Sequence, residues 1–254
     1  MLKKQRQKKH FQAEWQSMLA YQAAFCRTRK PEALHRFRVQ VKKTKAQLHF
    51  LQGDVASGAI SPLQILFKQA GRVRSAHIRV QLMRQYQMTN EDLIAKLEQI
   101  VEDGSQQFQI QSDNSAEALR RLYKRLNSAF SDKSDKSVLQ LCRKRLKRLA
   151  RPDQIITNLH KARKQIKELL YFHDVLPSSI AGKLHLNTTY LRQLEEAIGK
   201  WHDIVSLIQL LESEDIADLD MIARLGRRRR RLFVSIHGLS GQFADSAVYQ
   251  ALGD

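Results

Sequence analysis

The chain has 254 residues, of which 43% are apolar and 27% charged, a balance that suits a globular protein with one large or two small domains. Its 44 Lys and Arg against 25 Asp and Glu leave a formal charge of +19, an excess that repels itself and calls for a polyanionic partner: nucleic acid, an anionic membrane or a phosphate polymer. There is no run of about 18 apolar residues to span a membrane, no apolar signal core follows the basic start MLKKQRQKKHFQAEWQ, and Cys26 and Cys142 are too few for a disulfide framework, reading instead as reduced thiols in or near the core of a cytoplasmic protein.

In chain order, residues 1–10 read as a basic tail. A first helix is predicted from about residue 12 to 29 and a second from 32 to 51. A Gly-containing loop covers 54–61. The third helix, 62–88, carries Gly71, Arg72, Arg74 and Arg79. Residues 91–101 form a short acidic helix ended by Gly104, 106–115 are polar and loop-like, and 116–130 complete a first unit spanning 11–130. SDKSDKS, 131–137, is the linker. The second unit, 138–240, repeats the scheme with helices at 138–151, 153–175, 188–211 and 217–238, followed by a frayed tail, 241–254. All four prolines fall at helix ends: Pro31, Pro62 (with Ser61 as its cap) and Pro152 in first turns, Pro177 after a last one. No strand-like alternation bounded by tight turns occurs, so the fold class is all-α.

The helix LHRFRVQVKKTKAQLHFL, 34–51, carries two adjacent stripes. Leu34, Phe37, Val41, Thr44, Leu48 and Leu51 recur at steps of three and four, the pattern of a buried seam. His35, Arg38, Lys42, Lys45 and His49 repeat those steps one residue on, about 100° around the helix. Charge runs on helices are ordinarily solvated. Stacked cations, however, cost a few tenths of a kcal/mol per neighbouring pair, so something negative should lie along them. The pattern recurs in NLHKARKQIKELLYFHDVL, where Leu159, Ala162, Ile166, Leu169 and His173 make the seam and His160, Arg163 and Lys167 the basic stripe. His35 and His160 are 125 residues apart, Gly71 and Gly199 are 128 apart, and the chain reads as two copies of one unit. Acidic residues gather instead at 91–103 and 212–220, a segregation unlike mixed solubilising charge.

Other motifs weigh less. Gly71 and Gly199 cost about 1 kcal/mol each inside a helix and indicate close helix packing, since a phosphate-cradling loop would need a preceding strand and a Gly-rich run. In the run Arg227 to Arg231, Arg229 falls on the seam of Leu225 and Leu232, where an unpaired guanidinium is costly; it should point into an anionic site or pair with an acid. Arg143 and Lys147 flank the seam of Leu139, Cys142, Leu146 and Leu149. His173-Asp174 and His202-Asp203 match the dipeptide of a helical metal-dependent phosphohydrolase, without the spacing of a full ligand set. Nucleic acid is the stronger competitor as partner, yet the basic stripes are not interleaved with aromatics and no helix-turn-helix or zinc-finger pattern appears.

The His-x-x-Arg-x-x-x-Lys helix, repeated once and followed each time by a Gly-containing helix, resembles the CHAD domain, the conserved-histidine α-helical domain. The resemblance covers nearly the whole chain. It implies two four-helix bundles related by a pseudo-twofold axis, a basic central cavity, binding of inorganic polyphosphate, association with polyphosphate granules, and no catalysis, metal or cofactor. By position it implies polyphosphate contacts from His35, Arg38, Lys42, Lys43, Lys45 and Arg74 in the first copy, and from His160, Arg163, Lys167 and Tyr171 in the second. Arg143, Lys147 and Arg229 are expected to join them from the basic stretches above. The histidines are expected to donate to phosphate oxygens, both ring nitrogens being donors once charged. Glu168 and Leu170 stand where the family pattern has further cations, and Ser75 where it has Asp.

Overall fold

Every regular element among the described residues is a helix, and most begin where the sequence supplies a proline or a capping side chain. The computed structural model describes residues 1–52, 60–88, 90–151, 153–214 and 219–248. In order the helices are α1 (Lys4–Thr28), α2 (Pro31–Gln52), α3 (Ser61–Gln85), α4 (Glu91–Asn114), α5 (Ala116–Ser128), α6 (Asp135–Leu149), α7 (Gln154–Thr157), α8 (Leu159–His173), α9 (Ser178–Ala181), α10 (Thr188–Ser213), α11 (Leu219–Gly241) and α12 (Phe243–Ser246). Two isolated bridges, Leu2 to Lys133 and Leu186 to Val248, are the only extended pairings among these residues. The fold is all-α, as the periodicity predicts.

Pro31 opens α2 and Pro62 sits in the first turn of α3, where a missing N–H costs nothing. The cap position before α3 is held by Ile60 and not by Ser61. Asn90, Ser134, Asn158 and Asn187 accept from the backbone N–H three residues on, at 2.8, 3.2, 2.8 and 3.1 Å, and so start α4, α6, α8 and α10.

Four stretches differ from the sequence reading. The expected N-terminal tail is helical from Lys4, because Gln7 and Phe11 are buried and Gln7 Nε2 donates to Ser131 O at 2.7 Å. The acidic helix does not stop at Gly104 but continues to Asn114. Its buried face includes Ser105 and Ser112, whose hydroxyls bond back to Val101 O and Phe108 O at 2.6 and 2.7 Å, so polar residues sit there without opening the helix. Gly104 is a close-approach residue, since a Cβ there would lie 2.7 Å from Val73 Cγ2 on α3. The predicted helix 153–175 is broken at Asn158 into α7 and α8. The loop expected at 54–61, up to residue 59, and the expected first-turn Pro152 lie outside the described residues. In the C-terminal stretch α12 buries Phe243, and Leu186 and Val248 form a bridge.

The chain divides into two compact units, Lys3–Asp132 and Met1–Leu2 with Lys133–Asp254. In the Lys3–Asp132 unit α1 packs on α2, α3 on α4 and α2 on α3, while α5 reaches α1, α3 and α4. Its core takes the predicted α2 seam, with Leu34, Phe37, Val41, Thr44, Leu48 and Leu51 all buried. Phe108 stands edge-on to Phe25 and Phe37 at 5.4 and 5.3 Å, a favoured aromatic geometry. In the Lys133–Asp254 unit α10 packs on α8 and α11, and α6 rests on α8. Leu159, Ala162, Ile166 and Leu169 are buried as predicted, with Leu194, Ile198, Leu207, Leu225 and Ile236 facing them from the same core.

Candidate functional site

Burial of the α2 seam sets the orientation of its neighbour stripe. With Leu34, Phe37 and Val41 inside, His35, Arg38, Lys42 and Lys45 emerge half-buried. Arg38 packs against α3. Its Nη1 donates to Phe67 O on α3 at 2.7 Å, and its guanidinium carbon lies 4.2 Å from the centroid of the Phe67 ring. Lys45 Nζ stands 5.7 Å from the same ring. Gly71, one turn after Phe67, makes the approach possible: a Cβ there would meet Arg38 Nη1 at 2.8 Å. The basic stripe of α2 and Arg74 of α3 thus form one basic face. Burial, then the charge of Arg74, depresses the Arg38 pKa to about 10. The cation is still protonated at neutral pH, and no carboxylate among the described residues pairs with it. Lys43 is not brought to this face. It turns toward α1 and pairs with Glu14 at 3.2 Å.

The second copy repeats the architecture with a different chemistry. Arg163 lies against Gly199 of α10, where a Cβ would come within 2.9 Å of its guanidinium carbon. Its Nε donates to Glu195 Oε1 at 2.7 Å, and Lys167 Nζ donates to the same oxygen at 2.9 Å. The negative group that the cationic stripe calls for is, in this copy, part of the chain itself. Tyr171, one turn beyond Lys167, is held protonated: burial, then the Glu195 charge, pushes its pKa up to about 12. His160 is exposed at the mouth of the face and its ring lies 5.5 Å from that of His202 on α10. Glu168, in a place where the family pattern has a cation, pairs with Arg145 of α6 at 2.7 Å.

Three predicted residues fall elsewhere. Arg145 faces α8 through Glu168, and Arg143 and Lys147, each two residues away and so about 200° around the helix, face outward. They line an open depression of about 410 Å³ with Lys144, Arg148 and Arg151. Arg229 falls in the register of the α11 seam but is not buried there. That seam runs through Met221, Leu225 and Ile236, and all five arginines from Arg227 to Arg231 are exposed. A depression of about 1120 Å³ along α1, α4 and α5 holds none of the predicted residues and mixes Arg27, Arg120 and Lys124 with Asp113 and Glu117. Among the described residues no group of three or more His, Cys, Asp or Glu side chains comes together as a metal set. His202 of one His-Asp pair faces His160 and Ser206.

Phe67, Glu195 and His202 are the participants that sequence reasoning missed. Each was marked by register: Phe67 and Glu195 stand four residues before Gly71 and Gly199, and Arg74 and His202 stand three residues after them.

The CHAD domain family model matches residues 9–212. The structure is similar to the crystal structure of the CHAD domain from the plant Ricinus communis, with a TM-score of 0.67 at 15% sequence identity over 94% of this chain and 91% of that one. No curated protein matches the chain.

Proposed function

The chain belongs to the CHAD domain family, and from that premise we propose that it binds inorganic polyphosphate along its basic helix faces and does not hydrolyse it. The observation that carries this reading is Arg38. A guanidinium withdrawn from water, beside another arginine and with a carbonyl and a ring as its partners, is costly to keep in a free protein. An anion approaching along His35, Lys42, Lys45 and Arg74 offsets that cost with hydrogen bonds between ionised groups and with counterion release. A partner without bases suits this face, because the Phe67 ring is engaged by the Arg38 guanidinium instead of being presented to a base. Association with cytoplasmic polyphosphate granules follows from the same reading.

Nucleic acid is the second reading, favoured by the charge of +19 and by the exposed arginines of α11. Competition separates the two. Long-chain polyphosphate should displace labelled protein from duplex DNA at matched phosphate concentration and physiological salt, and DNA should fail to displace it from polyphosphate. Equal competition in both directions establishes generic polyanion binding instead. Phosphate release from polyphosphate with Mg²⁺ or Mn²⁺, abolished by His202→Ala or Asp203→Ala, would overturn the non-catalytic part.

A further inference from the structure

One step of the repeat carries a different residue in its two copies, and that residue is what the matched arginine of each basic face meets. One helical turn before Gly199 stands Glu195; one turn before Gly71 stands Phe67. Glu195 Oε1 takes hydrogen bonds from Arg163 at 2.7 Å and Lys167 at 2.9 Å, and the carboxylate is only 16% exposed. Two cationic donors converging on one oxygen is the arrangement a phosphate oxygen would accept from the same side chains. Phe67 offers Arg38 the negative face of a ring, which attracts a cation but leaves its charge in place. Arg38 and Arg163 are otherwise matched, each lying over the glycine of the following helix.

Resting on the polyphosphate reading above, we propose that Glu195 is a built-in anion occupying the second basic face, so that the α8 and α10 face engages phosphate only by displacing Glu195, whereas Arg38, the matching guanidinium of the first copy, has no carboxylate among the described residues to give up. The two copies are then unequal sites. Glu195 limits what the second adds. Nothing in this requires Glu195 to touch the ligand. It acts by holding Arg163 and Lys167, and its removal should free two cations for phosphate at once.

The test compares Glu195→Gln with Glu196→Gln. Glu196 is exposed and pairs only with Lys200, at 2.8 Å, so its replacement changes net charge equally without touching Arg163. Binding of long-chain polyphosphate is measured over a salt series. Glu195→Gln should tighten binding about three- to tenfold at physiological salt and steepen the log K against log salt slope by about 0.7 to 1.4, one or two further single-strand-type contacts. Glu196→Gln should change affinity less than twofold. Equal effects of the two variants, or no effect of Glu195→Gln on a wild type that binds, overturn the inference and leave the polyphosphate reading standing. A wild type that does not bind sinks that reading; the inference then survives only if Glu195→Gln binds. Should Glu195→Gln fail to fold, the converse change decides: Phe67→Glu should weaken binding at least threefold relative to Phe67→Gln, which loses the same ring without adding a carboxylate. Equal affinities of those two variants overturn the inference.

Discussion

Arg38 and Arg163 occupy the same step of the repeat and differ in what their removal leaves behind. Replacing Arg163 by Met strands Glu195 with Lys167 alone in a largely enclosed place, and should destabilise the free protein by about 1–2 kcal/mol. Replacing Arg38 by Met exchanges a half-buried cation for an apolar side chain of similar length. Phe67 O, a helix carbonyl, loses only a second donor, so apo stability should hold or rise. Denaturant melts of the two variants without polyphosphate check the contrast. Both arginines were legible in the sequence as stripe residues, but their partners were not. Glu195 lies 32 residues from Arg163, and periodicity says nothing of which residue faces which across two helices.

The histidines give a second test at this scale. Burial, then the charge of Arg74, lowers the His77 pKa, and burial lowers that of His173. Their unfolded forms take up protons near pH 6.5 while the folded forms resist. Stability is therefore fully present above that pH and is lost as the pH falls from it through the lowered folded values. Melting temperatures between pH 7.5 and 5.0 should decline accordingly, and a His77→Gln/His173→Gln double variant should decline less.

Among the elements, the three helix glycines that approach a neighbouring helix closely differ in what a methyl group would meet. At Gly71 the obstacle is the tip of a flexible side chain. Alanine there should gain about 1 kcal/mol of helix propensity and lose about as much through the displaced Arg38 hydrogen bond, leaving the apo melt nearly unchanged. At Gly199 the guanidinium is tied to Glu195, so Gly199→Ala should be the more destabilising of the two. At Gly104 the obstacle is a core valine with no room to turn, and Gly104→Ala should cost about 1–3 kcal/mol through overpacking. Thermal melts of the three single variants rank them. The seams of α2 and α8 were readable because their buried positions are mostly apolar and recur at steps of three and four. The second half of α4 was not, because Ser105 and Ser112 occupy buried positions and satisfy their hydroxyls on their own helix. Likewise the step from α7 to α8 depends on the Asn158 cap, which a hydrophobic period does not register.

For the molecule as a whole, the charge balance pointed to a polyanionic partner before any helix was placed. The repeat of His, Arg and Lys then gave the family. What the sequence left open was the distribution of that charge. Arg143 and Lys147 face outward on α6, the Arg227–Arg231 run is exposed on α11, and Lys43 is paired with Glu14, so the cations gathered on the α2 and α3 face are fewer than the count suggests. The most direct measurement is therefore a salt series of polyphosphate binding by Arg38→Met against wild type. The variant should bind more weakly, and its log K against log salt slope should be shallower by about 0.7, the share of one phosphate contact on a flexible chain. Unchanged affinity and slope would contradict the account and make the basic stripe part of the scaffold.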